Sequence, residues 1–162
     1  MATTVSNGTL KVTITEQCYL NGKNQGGSKT FSVSSINEIF QRVVSIAADD
    51  DATVLVFKST TAIADGALDK EDVKYIRITN LDDTNSVNIS LQLDSGEDNS
   101  AADLSVTHLL EAGRSFIMGT VDEAVHADDD AASIVTALTD LESIIVDPGA
   151  NAGQVEVFVA SA

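Results

Sequence analysis

The chain has 162 residues, 43% hydrophobic and 21% charged, which is enough apolar surface for one well-filled domain. Its 25 acidic residues outnumber 9 basic ones and give a formal charge of -16, which repels nucleic-acid phosphates and anionic membrane surfaces. Neither nucleic acid nor membrane is therefore expected as a direct partner.

The chain begins with a polar segment that lacks the basic start and apolar stretch of a secretion signal. No apolar run approaches the ~18 residues of a membrane-spanning helix. We expect residues 1–8 to form a flexible N-terminal arm and residues 9–162 to form a single β-sandwich domain.

A first strand is predicted over Leu10–Ile14, where every second residue is apolar, the period expected when one strand face meets the core. Asn21-Gly22 and Gly26-Gly27 supply turn residues, and Phe31–Val33 restarts the alternation, so a hairpin is the simplest account. Cys18 is the one cysteine and has no partner for an internal disulfide. It is expected to act as a small apolar side chain.

The next segment, Ser35–Ala47, fits two patterns. Its apolar residues form a helical stripe, with Ser35 and Glu38 spaced as a capping box, but its β-branched residues suit a strand equally well. We favour a short turn or helix over Ser35–Phe40, followed by a strand. An acidic turn then leads to Val54–Phe57, an apolar run with the length of a buried strand.

The clearest pair of strands is predicted in the middle of the chain, after a loop over Thr60–Asp72. Val73–Thr79 and Val87–Leu93 both carry strand residues, and the second alternates apolar and polar residues without a break. Asn80–Ser86, which is rich in turn formers, connects them. The two segments are therefore predicted to form an antiparallel hairpin.

Two further strands are predicted at Val106–Leu110 and Ser115–Thr120, after a polar loop over Ser95–Asp103. Gly113 marks the turn between them. The spacing of Ile134, Leu138 and Leu141 suits one short amphipathic helix with acidic residues before its N-terminus, or a packed loop.

The last two strands are predicted at Ser143–Val146 and Gln154–Val159, on either side of the turn sequence Asp147-Pro148-Gly149. Close strand spacing without repeated alternation of strands and helices is typical of an all-β fold. We predict an antiparallel β-sandwich or jelly roll of roughly eight to ten strands, with one or two short helices as an option.

No catalytic motif is complete. Gly113-Arg114-Ser115 starts like a nucleophile elbow, but Ile117 stands where that motif needs a second glycine. Gly22-Lys23-Asn24 lacks the glycine spacing and hydroxyl of a phosphate-binding loop. His108 and His126 are more typical of surface or packed residues than of a catalytic triad. We expect no enzymatic activity, no catalytic residues and no cofactor.

Acidic triplets are the only candidate metal ligands, because hard cations such as calcium take several oxygens from neighbouring loops. None follows a recognisable calcium-loop spacing, and consecutive acids in turns are usually solvated. No specific metal site is therefore predicted. The weak candidates are Asp49, Asp50, Asp51, Asp128, Asp129 and Asp130, beside the pair Asp82-Asp83.

Four segments of the chain carry a pattern found in a known protein family. VKYIRITNLD (Val73–Asp82), followed by NSVNISL (Asn85–Leu91), resembles a segment that recurs in small virion proteins of tailed bacteriophages. LLEAGRSFI (Leu109–Ile117) and the closing VEVFVA (Val155–Ala160) are similar to the same family. The resemblance covers about the middle third of the chain, and its motifs are structural.

The resemblance implies a jelly-roll-like protein on a phage capsid or tail, often a trimer or larger ring, without catalytic residues. Within that class a capsid decoration or cement protein is favoured, with the major capsid protein or other virion proteins as partners. Such a protein is made in the host cytoplasm and resides on the virion. The alternatives are a tail adaptor or fibre-base component, and a soluble carbohydrate- or calcium-binding β-sandwich module.

Overall fold

The computed structural model describes residues 6–59, 66–93, 104–127 and 137–162. These residues form thirteen strands and no helix. The strands are β1 Gly8–Thr15, β2 Tyr19–Leu20, β3 Lys23–Asn24, β4 Ser28–Ile36, β5 Glu38–Ile46, β6 Ala52–Lys58, β7 Leu68–Asp69, β8 Val73–Asn80, β9 Val87–Leu93, β10 Leu104–Leu110, β11 Ser115–Met118, β12 Leu141–Asp147 and β13 Gly153–Ser161.

Two sheets share one apolar core. The four-stranded sheet has the order β11-β8-β13-β5, and the five-stranded sheet has the order β10-β9-β12-β6-β7. Buried apolar residues alternate with more exposed ones along most of β8, β9 and β13, because side chains alternate between the two faces of a strand. The fully buried side chains include Ile76, Ile78, Val155, Val157 and Val159 from one sheet, and Ile89, Leu93, Ile144 and Val146 from the other.

The strands follow jelly-roll order. Without the two-residue β7, which runs parallel to β6, each sheet holds four strands. The chain passes between the sheets from β5 to β6, from β6 and its short neighbour β7 to β8, and then from β8 to β9, β10 to β11, β11 to β12 and β12 to β13, whereas β9 and β10 are neighbours in one sheet. As a result β5, the first strand of the sandwich, pairs with β13, the last, as in a double-sheet jelly roll. The predicted all-β sandwich is confirmed.

The predicted hairpin between β8 and β9 is wrong, because the two strands lie in different sheets. Each has one strongly apolar face, and the two faces meet across the core instead of lying side by side. The connection is shaped by Asp82, whose carboxylate accepts hydrogen bonds from the backbone N–H groups of Thr84 and Asn85 at 2.8 and 2.7 Å. It forms an arch between the sheets.

Of the short turn or helix favoured over Ser35–Phe40, the helix is wrong and the turn is found only at its start. β4 continues to Ile36 and β5 begins at Glu38, with Ser35 at a φ of 65° where the chain changes direction. The β-branched residues that follow favour the strand, and pairing with β13 provides the backbone partners that a helix would have supplied.

Several predicted loops fall partly or wholly outside the described residues. These are the first five residues of the predicted arm, the start of the Thr60–Asp72 loop, all of Ser95–Asp103, and most of the second predicted helix. Leu141, assigned to that helix, instead begins β12. The turn at Asp147-Pro148-Gly149 is confirmed, with Gly149 at a φ of 66° and its N–H donating to the Asp147 carboxylate at 2.6 Å.

Candidate interaction surface

A long two-stranded extension precedes the sandwich. β1 and β4 pair antiparallel, with Val12 opposite Phe31, and β2 and β3 continue towards the loop Asn21-Gly22. These two loop residues have φ values of 51° and 76°, the positive values that a tight hairpin turn requires. The predicted hairpin is confirmed, and Gly8–Ile36 is called the ribbon below.

The ribbon exposes nearly its whole length to solvent. Between Gly8 and Ile36 only Ile36 is buried. Tyr19 and Leu20, close to the tip, are 74% and 60% exposed, and Ile14 is 44% exposed. The alternation over Leu10–Ile14 predicts a strand with one face on the core. The strand forms, but Leu10 and Val12 are only half-buried and Ile14 is exposed.

The base of the ribbon packs on the outer face of the four-stranded sheet. Leu10, Val12 and Val33 contact a small buried cluster of Ile36, Tyr75 and Ala160. The ring of Tyr75 lies 6.4 Å from that of Phe31 on the ribbon and 6.1 Å from that of Phe158 on β13. Aromatic contacts at this separation are favourable, so the base is anchored while the tip extends away.

The tip has a defined backbone arrangement. The N–H of Gln25 donates to the carbonyl of Cys18 at 2.7 Å, and that of Glu16 donates to the carbonyl of Gly27 at 2.8 Å. A side chain at Gly26 would place its Cβ 2.0 Å from the Glu16 carbonyl oxygen. Cys18 itself is exposed, so the expectation that it fills an apolar space is wrong.

A hydrogen-bonded group of three polar side chains lies on the same outer face, outside the ribbon. Glu156 on β13 accepts hydrogen bonds from Gln41 at 2.8 Å and from Arg77 at 2.7 Å. Arg77 also lies over the Phe158 ring, 5.8 Å from its centroid. The hydrogen bond from Gln41, reinforced by that from Arg77, lowers the pKa of Glu156 below its ordinary value.

The lowered pKa predicts a pH-dependent stability. A carboxylate whose pKa is lower in the folded state stabilises the fold above its unfolded pKa, and this contribution disappears as the pH falls through the folded pKa. We expect Glu156→Gln to reduce the free energy of unfolding at pH 7, and the deficit to shrink as the pH falls through the lowered pKa of Glu156, in urea titrations at several pH values. Glu111→Gln is the control, because its 3.7 Å pair with Arg114 is largely exposed and should contribute little. A deficit for Glu156→Gln that did not shrink towards pH 2 would contradict the prediction.

The predicted metal candidates are only partly brought together. Asp49, Asp50 and Asp51 follow β5 and, with Asp147 and Gly149, line an open depression of about 360 Å³. The part of the chain described by the structure contains no group of three or more acidic, histidine or cysteine side chains placed to hold a metal ion. Asp128, Asp129 and Asp130 lie outside it. Asp82, whose pKa is lowered by backbone hydrogen bonds from Asn85 and then Thr84, shapes the arch after β8.

The residues considered for catalysis have structural contacts. The ring of His108 lies 5.7 Å from that of Phe116, and Nδ1 of His126 lies 3.3 Å from the Thr139 hydroxyl. Ser115 bonds the hydroxyl of Thr79 on the next strand at 2.8 Å, which ties β11 to β8. These contacts position strands and loops.

Sequence reasoning found the hairpin but missed the ribbon as an exposed element. One signal was present: Tyr75 and Phe158 occupy outward positions of strands whose other outward residues, such as Arg77 and Glu156, are polar. Aromatic residues at such positions indicate that something packs on the outer face.

Comparison with known proteins does not identify a family for this chain. No protein-family model matches the chain, and no curated protein matches it significantly. One solved structure, from Bacillus endospore appendages described as "a novel family of disulfide-linked pili", shows a TM-score of 0.35 and 16% identity over 76% of this chain and 88% of that chain. Similarity at this level supports no conclusion about this chain. No helix of membrane-spanning length and hydrophobicity occurs in the described segments.

Proposed function

We propose that the chain is a non-catalytic structural subunit that works through contacts with other protein subunits, and that the ribbon is its main contact element. The main observation in support of this proposal is the exposure of the ribbon. Tyr19 and Leu20 present large apolar side chains at 74% and 60% exposure on an arm that adds little to the core of the sandwich.

The expected stability of the ribbon supports a role in contacts between subunits. An isolated two-stranded hairpin is marginally stable in water, so a ribbon that is exposed along most of its length gains stability from covering by a partner. Burying a side chain such as Leu20 contributes about 1.5–3 kcal/mol. Tyrosine is also enriched among the residues that dominate protein interfaces. The tip is therefore suited to fill a pocket on a neighbouring subunit.

The finer form of the proposal is a capsid decoration protein of a tailed bacteriophage, which resides on the outer surface of the virion. It rests on the resemblance of four segments, which supply β8, most of β9, the end of β10 with the start of β11, and most of β13: Val73–Asp82, Asn85–Leu91, Leu109–Ile117 and Val155–Ala160. The jelly-roll order is compatible with it. The charge of -16 favours a basic partner surface, to be sought on the major capsid protein. A trimer on the shell, and a tail adaptor or fibre-base role as the alternative, belong to the same proposal.

One experiment addresses both levels. Particles are assembled with the wild-type chain, with the double variant Tyr19→Ser and Leu20→Ser, or with Leu81→Ser, and the bound chain is counted by quantitative mass spectrometry. Leu81 is a matched control, because it is 46% exposed but lies outside the ribbon. We expect many wild-type copies per particle, comparable with the major shell protein, and at least about tenfold fewer for the double variant.

The outcomes separate the alternatives. A handful of wild-type copies at a single vertex would favour the tail role. Full occupancy by the double variant would remove the ribbon as the contact element. If the chain bound no particle but the isolated protein released heat with a sugar or calcium in calorimetry, the structural role would fail in favour of a binding module.

A further inference from the structure

The outer edge of β5 is open for pairing. Among the described residues no strand lies beyond β5 in the four-stranded sheet. β5 is nine residues long, pairs with β13 without a register shift, and contains neither lysine nor proline. Exposed edges are normally protected by charged side chains, above all lysine, or by proline, a bulge or short length. β5 carries the charged residues Glu38 and Arg42 but no lysine, proline or bulge, and it is long.

The ribbon leaves this edge uncovered. Its base packs on Tyr75 and Ala160, on the outer face of β8 and β13, and Ala160 lies opposite Ile39 on the side of β5 that faces β13. No ribbon strand is hydrogen-bonded to β5. In the described part of the chain, the backbone groups on the outer side of β5 therefore have no strand to pair with.

The hydrogen bonds of β13 show which groups of β5 point outward. The carbonyl of Gln154 accepts a hydrogen bond from Leu81, on the β8 side, at 2.9 Å. Since backbone groups of successive strand residues point in opposite directions, Val155 faces its partner Val44 on β5. The N–H and C=O groups of the odd-numbered residues of β5, namely Ile39, Gln41, Val43 and Ser45, point to the open edge.

The side chains of the same residues are complementary to a second copy of themselves. Ile39 and Val43 are 50% and 55% exposed, with Gln41 midway between them. In an antiparallel pair centred on Gln41, Ile39 lies opposite Val43 of the second copy, and apolar cross-strand pairs of this kind stabilise sheets. On the other face Arg42 lies opposite Phe40 of the second copy. Arg42 already stacks on its own Phe40, with its guanidinium 5.8 Å from the ring centroid.

We propose that β5 pairs antiparallel with β5 of a second copy about a two-fold axis at Gln41, joining two four-stranded sheets into one. The inference rests on the proposed structural role and gives it a partner. In this register the outward groups of Ile39, Gln41 and Val43 all find hydrogen-bond partners. A two-fold contact closes on itself, so its product is a dimer, whereas a trimer requires a different contact.

The test is sedimentation equilibrium of the full chain over a range of protein concentrations. We expect a reversible dimer that strengthens with added salt, because each copy carries a charge of -16 and salt screens the repulsion. Gln41→Pro removes an outward N–H that β13 does not use, and proline is tolerated on edge strands. It should raise the dimer dissociation constant about 30-fold, since one hydrogen bond is lost from each copy.

Controls make the register testable. Gln41→Ala keeps the N–H while losing the bond to Glu156, and should dimerise nearly as the wild type does. In a Cys18→Ser background, Gln41→Cys should form a disulfide across the axis, because hydrogen-bonded residues in this position have Cα atoms about 5.5 Å apart. Ser45→Cys should not cross-link, since its two copies would lie roughly 27 Å apart at about 3.4 Å per residue.

A monomer at every concentration and salt would overturn the inference. So would a Gln41→Pro chain that dimerises like the wild type, or cross-linking through Ser45→Cys and not Gln41→Cys. The ribbon variant Tyr19→Ser and Leu20→Ser should still dimerise. Loss of particle binding with the dimer intact therefore tests the ribbon, and loss of the dimer alone tests β5.

Discussion

Replacing Asn80 by aspartate is expected to destabilise the sandwich by about 3–5 kcal/mol at pH 7. Asn80 is fully buried, and its amide nitrogen donates to the carbonyls of Asn85 at 2.9 Å and Leu110 at 3.2 Å. Its amide oxygen accepts from the N–H of Asp82 at 3.0 Å. The substitution keeps the shape of the side chain but turns an oxygen towards two carbonyl oxygens, and it buries an unpaired charge.

The pH dependence of this variant provides a further check. The buried carboxyl should have a raised pKa, so the folded state binds a proton that the unfolded state releases, and the deficit should grow as the pH rises from 4 to 7. Urea unfolding at both pH values measures it. Asn37→Asp is the control, because it adds the same charge at an exposed position and should change stability by less than about 0.5 kcal/mol. Equal effects of the two substitutions would show that the hydrogen bonds of Asn80 do not stabilise the arch after β8.

Ile144→Ala is expected to cost about 2–5 kcal/mol. Ile144 is fully buried at the centre of the five-stranded sheet, opposite Leu55 on β6 and Leu91 on β9. The shortened side chain leaves a cavity that strands fixed on both sides cannot easily close. Thermal and urea unfolding should show a lower midpoint. The slope of the free energy of unfolding against urea concentration should not change.

The neighbouring residue provides a matched comparison for this cavity. Ile145→Ala removes the same atoms from the same strand, but Ile145 is only half-buried and lines an open depression on the outer face of the sheet. We expect a loss below about 1.5 kcal/mol, since less contact is removed. Similar losses at the two positions would mean that the core is not centred between the two sheets.

The sequence predicts where most strands lie and which of their faces is buried. It does not predict which strands are hydrogen-bonded to each other. Alternation in Val87–Leu93 correctly shows which face of β9 is buried, because that depends on each residue alone. It does not show whether β8 lies beside β9 or across the core from it, since both arrangements bury the same residues. The distinction depends on the arch at Asn80–Asn85. The buried amide that stabilises it belongs to Asn80, and the sequence does not distinguish this asparagine from one in an ordinary turn.

The candidate surface was predictable only in part, for the same reason. The hairpin turn at Asn21-Gly22 has a local signature, and the sequence revealed it. The exposure of Ile14 and the open edge of β5 depend on what lies beside each strand in the fold. Leu10–Ile14 alternates as a core strand does, so the pattern cannot distinguish a ribbon outside the sandwich from a strand within it.

The pairing of β5 with β13 also determines the order in which the protein can fold. Glu38 lies opposite Ser161, so this part of the sheet cannot form on the ribosome until β13 has been synthesised. The ribbon joins residues close in sequence, such as Thr15 and Ser28, and hairpins of this kind form in microseconds. Distant strand pairs form far more slowly. The hairpin of the ribbon can therefore form transiently in a newly made chain, but its base gains its anchor only when β13 pairs with β8. Until then β8 as well as β5 lacks the strand that lies between them.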